Sequence, residues 1–322
     1  MDSNSRTLFL ADIASRYYDQ NQTQQEIADN VGVTRSAISR LLTEARQKGI
    51  VEIIVHHPHR SSNELEKALI EHFNLRTARV LLRQTNSMED LLSGLGVLAS
   101  QYFTNLVRDG DVVGVSWGTA LSQMVRNIKP LPLPNVEVVQ IVGGISTRRP
   151  STVDTLLAPL LADLLGCTCH YLPAPAFTDN EEIRDVLIQQ KSIRETLERA
   201  EQADIALLGI GSTNPEVNTP YQLGYISEQD LQDTLAADAV GNVCGWHYNI
   251  AGEILDINLN KRVIGLDPVS LSKIPQVIGV SGGALKAEGI LGALHGGYVN
   301  VLITDEHAAR RMLEIESAYR RG

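Results

Sequence analysis

Aromatic side chains are scarce: four phenylalanines, two tryptophans and nine tyrosines make up 5% of the 322 residues. Proteins that grip single-stranded nucleic acid stack bases on such rings, so that mode of recognition is not expected. Cysteine is scarcer still. Cys167, Cys169 and Cys244 are the three present, and no second Cys/His pair stands near them at zinc spacing. They read as buried free thiols in a reducing compartment, and no metal site is expected. No apolar run approaches the length of a membrane span, and the first ten residues lack the apolar core of a secretion signal. The chain is therefore expected in the cytoplasm, with no membrane partner. An excess of positive charge is missing too. The formal net charge is −10, which argues against affinity of the whole body for polyanions.

The charge is unevenly spread. Residues 1–60 carry seven basic and seven acidic residues, so the whole acidic excess lies beyond them. Within 34–48 there are four basic residues against one acidic. That cationic stretch closes the segment 22–49, QTQQEIADNVGVTRSAISRLLTEARQKG, which reads as two helices and a tight turn. Thr23 and Glu26 form a capping box for the first helix. Ile27 and Val31 share its buried face, Gly32 makes the turn, and Val33 is expected to fill the angle between the helices. Thr34 caps the second helix, where Ile38, Leu41, Leu42 and Ala45 form one apolar stripe. The opposite face carries Arg35, Ser36, Ser39, Arg40, Thr43 and Arg46. A helix-turn-helix presents such a second helix to the major groove of double-stranded DNA, where arginine can pair with guanine. The candidate DNA contacts are Thr23, Gln24, Thr34, Arg35, Ser36, Ser39, Arg40 and Arg46. The competing reading is an ordinary helical hairpin with a polar outer face.

A helix over 6–19 is expected behind this hairpin, and the branched run 50–55 predicts a strand, hence a winged variant. His56, His57 and His59 then lie in one short loop with no carboxylate beside them and read as linker. A helix over 63–73 is expected to bridge to the rest. From residue 78 onward, strands are predicted at 78–82, 112–115, 136–142, 169–172, 205–208, 263–266, 277–280 and 299–303. Helices are predicted at 88–107, 121–128, 152–165, 181–190, 193–201, 228–235, 285–294 and 306–319. Such alternation predicts an α/β fold, a Rossmann-like parallel sheet covered by helices on both faces. The expected division is a helix-turn-helix domain over 1–57, a linker helix over 58–76, and an effector-binding and oligomerisation domain over 77–322.

Ligands of such sheets sit where strands end and helices begin. Four of these junctions are rich in glycine: Ser116-Trp117-Gly118-Thr119-Ala120, Gly143-Gly144-Ile145-Ser146, Gly209-Ile210-Gly211-Ser212 and Ser281-Gly282-Gly283-Ala284-Leu285-Lys286. Glycine lets amide groups converge on an anion, and Lys286 can reach back to a phosphate. A purely steric use of glycine accounts equally well for any single loop. None of the four matches a P-loop or a dinucleotide fingerprint, so no nucleotide cofactor is expected. His170, His247, His295 and His307 are scattered, and Asp305 reads as a helix N-cap beside Glu306. No catalytic residue is assigned. Phosphate contact is favoured for Lys286 over an imine with an open-chain sugar.

Over nearly its whole length the chain resembles the SorC-type sugar-binding transcriptional regulators of bacteria. The resemblance rests on Tyr17-Tyr18, on TQQEIADNVGVTRSAISRLLTEARQKGIVEI, on Ser116-Trp117-Gly118-Thr119, on Gly209-Ile210-Gly211, and on VIGVSGGALKAEGILGALHGGYVNVLITDE. It implies a larger domain related in fold to ribose-phosphate isomerases and glucosamine-phosphate deaminases. It implies that this domain binds a phosphorylated sugar without turning it over, and that homotetramers bind operator DNA. The Gly118–Thr119 loop and the run from Ser281 through Gly282 and Gly283 to Lys286 would hold the phosphate, and Gly143 and Gly144 would line the pocket. Asn242 stands where an acidic residue usually takes sugar hydroxyls, and Ala120 where a hydroxyl residue is often found. These departures point to a different or more oxidised sugar. The alternative is a sugar-phosphate isomerase or deaminase with an accessory DNA-binding head.

Overall fold

The computed structural model describes residues 3–20, 22–51, 61–83, 85, 87–145 and 156–319. The chain divides into two compact units, Met1–Pro58 and His59–Gly322.

The smaller unit has three helices, α1 (Ser3–Tyr18), α2 (Gln24–Val31) and α3 (Arg35–Gln47). The capping box forms as its residues require: Thr23 N–H donates to Glu26 at 2.8 Å, and Glu26 N–H donates to Thr23 Oγ1 at 3.3 Å. Gly32 ends α2 with φ of 75°, a left-handed cap. Leu10, Ile13, Ile27, Ala28, Ile38, Leu41, Leu42 and Ala45 are buried together. Val33 departs from expectation. It is 39% exposed, because the closure between α2 and α3 is filled by Ile27, Ala28 and Ile38. Arg6 spans from α1 to Glu44 of α3 at 2.6 Å, and this bond, with help from Lys48, draws the Glu44 carboxyl down to about 2. Most of the strand expected at 50–55, and the histidine loop after it, lie outside the described residues.

The larger unit comprises α4 (Asn63–Phe73), β1 (Thr77–Leu81), α5 (Met88–Leu106), β2 (Val112–Val115), α6 (Thr119–Arg126), β3 (Glu137–Gln140), α7 (Leu157–Leu165), β4 (Thr168–His170), α8 (Glu181–Ile188), α9 (Lys191–Ala200) and β5 (Ile205–Ser212). It continues with α10 (Thr219–Gln222), α11 (Glu228–Ala236), β6 (Ala239–Val243), β7 (Trp246–Asn249), α12 (Asn258–Lys261), α13 (Pro268–Leu271), β8 (Gln276–Val280), a 3-10 turn Ala284–Lys286, α14 (Ala287–His295), β9 (Val301–Asp305) and α15 (Glu306–Tyr319). Seven strands run in the order β1-β9-β8-β5-β2-β3-β4, every neighbouring pair parallel. Side chains alternate across the sheet. Val113, Val115, Val138 and Leu207 pack under α5, α6 and α7. Val112, Val139, Ala206 and Leu208 share the other face with α4, α14 and α15.

The helix expected to bridge the two parts packs on the edge strand. Glu66, 5% exposed, accepts Val80 N–H at 3.1 Å and pairs with Arg79. The run 263–266 makes only isolated bridges, Phe177↔Val263 and Val142↔Gly265, although Val263, Ile264 and Leu266 are buried. A short apolar run does not distinguish a strand from a core-filling connection. Conversely, β6 and β7 form an antiparallel hairpin that the sequence reading does not contain. Its turn is Cys244-Gly245, at φ of 49° and 84°. Two positive φ values fit the primed hairpin turns, which Asn-Gly usually supplies, and cysteine in that place gives no signal.

Candidate functional site

The end of β2 is where the site begins. Its ladder stops at Val115, and Ser116 continues the pairing by other means: its backbone N–H donates to Leu207 at 3.0 Å and its Oγ accepts Gly209 N–H at 3.1 Å. The chain then turns through Trp117 and Gly118 into α6. No side chain caps that helix, so the amides of its first turn face outward unclaimed by a capping group. Opposite, β5 runs on beyond the parallel sheet. Its last residues pair antiparallel with β6, setting Gly211 against Asn242. Gly209 is required here, because a Cβ would lie 2.9 Å from Trp117 carbonyl oxygen. Lys286 closes the third side from the turn after β8.

These elements line a small cleft that opens to solvent. Of the sequence candidates, Ser116, Gly118, Thr119, Gly209, Gly211, Asn242 and Lys286 line it together. Ala120, Trp117, Val142, Val217, Thr219, Pro220 and Cys244 join them. The reading of the sequence missed the contribution of 217–220 because it follows β5 in an irregular segment with no periodicity.

The remaining candidates serve the fold around the cleft. Ser281 is 1% exposed and gives its hydroxyl to Ile210 carbonyl at 3.1 Å. Gly283 N–H is taken by Asp305 Oδ1 at 2.7 Å, and a Cβ on Gly282 would meet that same oxygen at 2.9 Å. Asp305 also caps α15 through Ala308 N–H at 3.4 Å. Gly143 N–H donates to Ile264 at 2.9 Å and Gly144 N–H to Ala174 at 2.8 Å, so neither amide is free for an anion.

The electrostatics of the cleft are simple. Lys286 is the one charged residue in its described lining, and its ammonium has no partner among the described residues. Burial without a counter-ion pushes its pKa below the ordinary lysine value. Asn242 is 7% exposed, and its carboxamide has no hydrogen-bond partner among the described residues. His170 pairs with Glu137 at 2.7 Å and His295 with Glu316 at 2.8 Å.

His247, beside Asn242 in the hairpin, is 2% exposed; burial lowers its pKa to about 4 despite a bond to Asn260. An imidazole that resists its proton when folded stabilises the fold fully above its unfolded value and progressively less as pH falls from 6.5 toward 4. Lowering the pH from 7 to 5 is expected to remove about 2 kcal/mol through this group. The His247→Leu variant should show a correspondingly flatter dependence of its urea midpoint on pH.

In the smaller unit, Arg35, Ser36, Ser39, Arg40, Thr43 and Arg46 are exposed along α3. Arg35 and Arg46 have no side-chain partner among the described residues, and Arg40 Nε rests on Ser36 carbonyl at 3.4 Å. Thr23 and Thr34 are exposed with their hydroxyls engaged in capping, and Gln24 is half-buried.

Comparison with known proteins covers both units. A family model described as a sugar-binding domain matches residues 57–314, and sigma-70 region 4 matches residues 12–48. The deoxyribonucleoside regulator of Bacillus subtilis (strain 168) is 34% identical over 97% of this chain and 99% of its own length. The sorbitol operon regulator of Klebsiella pneumoniae is 32% identical over 98% of this chain and 100% of its own length. The crystal structure of that full-length regulator, SorC, superposes with a TM-score of 0.71 over 95% of this chain and 99% of its own. Among the described residues no helix is long and apolar enough to cross a membrane.

Proposed function

This chain belongs to the SorC-type family of sugar-binding transcriptional regulators, and from that premise we propose that its cleft takes a phosphorylated sugar whose binding modulates the grip of α3 on operator DNA. The observation that carries the reading is the meeting of an unpartnered lysine with an uncapped helix start in one cleft. A phosphate ester answers both, since helix N-termini and ammonium groups favour the same anion. Seven sequence candidates converge there: Ser116, Gly118, Thr119, Gly209, Gly211, Asn242 and Lys286. The cleft's described lining has no carboxylate or histidine to move a proton, which leaves the isomerase or deaminase alternative without an acid–base pair. A thermal-shift comparison tests the proposal. Ribose 5-phosphate and glucosamine 6-phosphate should stabilise the chain where ribose and glucosamine do not, and neither phosphate should be consumed. Equal response to the unphosphorylated sugars would refute it.

On the DNA side, α3 presents Arg35, Ser36, Ser39, Arg40 and Arg46 to a duplex. One such head makes few phosphate contacts, so we assign the working form to a homotetramer, whose linked heads raise affinity by proximity. Light scattering of the full chain reads that state. With DNA selected from a random library by the wild-type chain, Arg35→Ala is expected to cost about 1–3 kcal/mol and to relax base preference. Arg46→Ala should weaken all sequences alike and make the salt dependence shallower. Unchanged affinity in both variants would count against the recognition helix.

A further inference from the structure

We infer that Asn242 sets the effector class: a sugar with a single phosphate, carrying an uncharged carbonyl and an adjacent hydroxyl at its other end. The inference rests on the reading of the cleft as a phosphate-ester site. Asn242 is more than nine-tenths buried, faces the cleft against Gly211, and keeps both its amide donors and its carbonyl oxygen unpaired among the described residues. The serine hydroxyls nearby are committed elsewhere, Ser116 to Gly209 N–H at 3.1 Å and Ser212 to Leu285 carbonyl at 3.2 Å. A buried amide left without partners discriminates strongly between ligands that complete it and ligands that do not.

The chemistry of the pairing follows from donor and acceptor counts. A carboxamide offers a donor and an acceptor side by side. A carbonyl oxygen next to a hydroxyl presents the complementary pair, one group that only accepts and one that can donate. A carboxylate in the same place would accept only, setting its lone pairs against those of the ligand carbonyl while still accepting from a polyol. The second half of the inference concerns charge. Lys286 is the sole cation in the described lining, whose apolar members include Val142, Ile210, Cys244 and Val280. A second anionic group on the ligand would meet no counter-ion among the described residues of that lining.

The experiment uses the full chain and acyclic five-carbon probes matched in length: ribulose 5-phosphate, ribitol 5-phosphate and ribulose 1,5-bisphosphate. Dissociation constants are measured by calorimetry for the wild type, Asn242→Asp and Lys286→Met. The wild type is expected to bind ribulose 5-phosphate at least 10-fold more tightly than the bisphosphate, a comparison that needs no variant to fold. Asn242→Asp should weaken ribulose 5-phosphate by 10-fold or more and change ribitol 5-phosphate by less than 3-fold. A bisphosphate that binds as tightly as the monophosphate, or an Asn242→Asp variant that shifts ketose and polyol alike, overturns the inference and leaves the phosphate site standing. Unaltered binding of all three probes in Lys286→Met, or binding of none by the wild type, overturns the phosphate site itself and the inference with it.

Discussion

Lys286→Met should bind a phosphorylated sugar about 100-fold more weakly than the wild type, yet unfold at a higher temperature in the absence of ligand. Both effects have one cause. The ammonium sits in the cleft with no counter-ion or hydrogen-bond acceptor among the described residues. Burial lowers its pKa, so the folded chain holds that proton less tightly than the unfolded chain does. The sign is fixed by that direction. Below the lowered value the folded state carries a charge that burial has partly stripped of water, and stability improves as pH rises toward the ordinary lysine range, where the unfolded chain also gives up the proton. Methionine has similar length and no charge, and removes the burden. On the proposed reading, a phosphate ester would repair the same defect in the wild type, because its oxygens would supply the missing partner. Loss of a charge-assisted contact of this kind costs about 2–5 kcal/mol, which brackets the expected change in affinity. Binding to the wild type should also draw a proton from solution in alkaline buffer, a quantity that calorimetry in buffers of different ionisation enthalpy reports directly. A variant that keeps its affinity, or that melts no later than the parent, would contradict this account.

Two adjacent glycines provide the second large effect. A Cβ on Gly143 would lie 2.2 Å from Pro175 carbonyl oxygen and 2.6 Å from Ala176 nitrogen. Backbone meets backbone at that point, so no side chain can turn aside. Gly143→Ala is expected to destabilise the larger unit by about 3 kcal/mol or more, lowering Tm by roughly 6–12 °C. Gly144→Ala should cost under about 1 kcal/mol, since its Cβ would find Ala174 oxygen only at 4.0 Å. Melting curves of the two variants, purified side by side, settle the comparison. Equal Tm values would mean that the segment at Pro175 yields more readily than its packing implies.

These glycines illustrate how far the sequence could be read. A glycine pair after a branched strand marks a place where something comes close, and that much is legible at positions 143 and 144. What comes close is not. At Gly143 it is the chain at Pro175 and Ala176, about thirty residues away in sequence. Residue 283 repeats the lesson, its amide being consumed by Asp305 from the neighbouring strand. Elements governed by local chemistry were recoverable. The capping box of Thr23, the stripe of α3 and strand β2 stand where their residues indicate, because caps and periodicity are local properties. The β6–β7 hairpin was not recoverable. Its turn uses a cysteine in the left-handed region, and its register is set by pairing with the overrun of β5.

That overrun divides the cleft by origin. One wall comes from parallel strands whose junctions the whole sheet must keep in place. The other is a short ribbon leaning on three residues past the sheet's rim, Ile210, Gly211 and Ser212. On the proposed reading, a substitution at a cleft-facing ribbon position such as Asn242 should retune what the protein senses while leaving the strand junctions of the other wall in place. The ribbon also anchors the core, with Val243 and Tyr248 fully buried and His247 2% exposed, so its cleft-facing positions, and not the whole of 239–249, are the ones to exchange when a regulator is to be given a new signal.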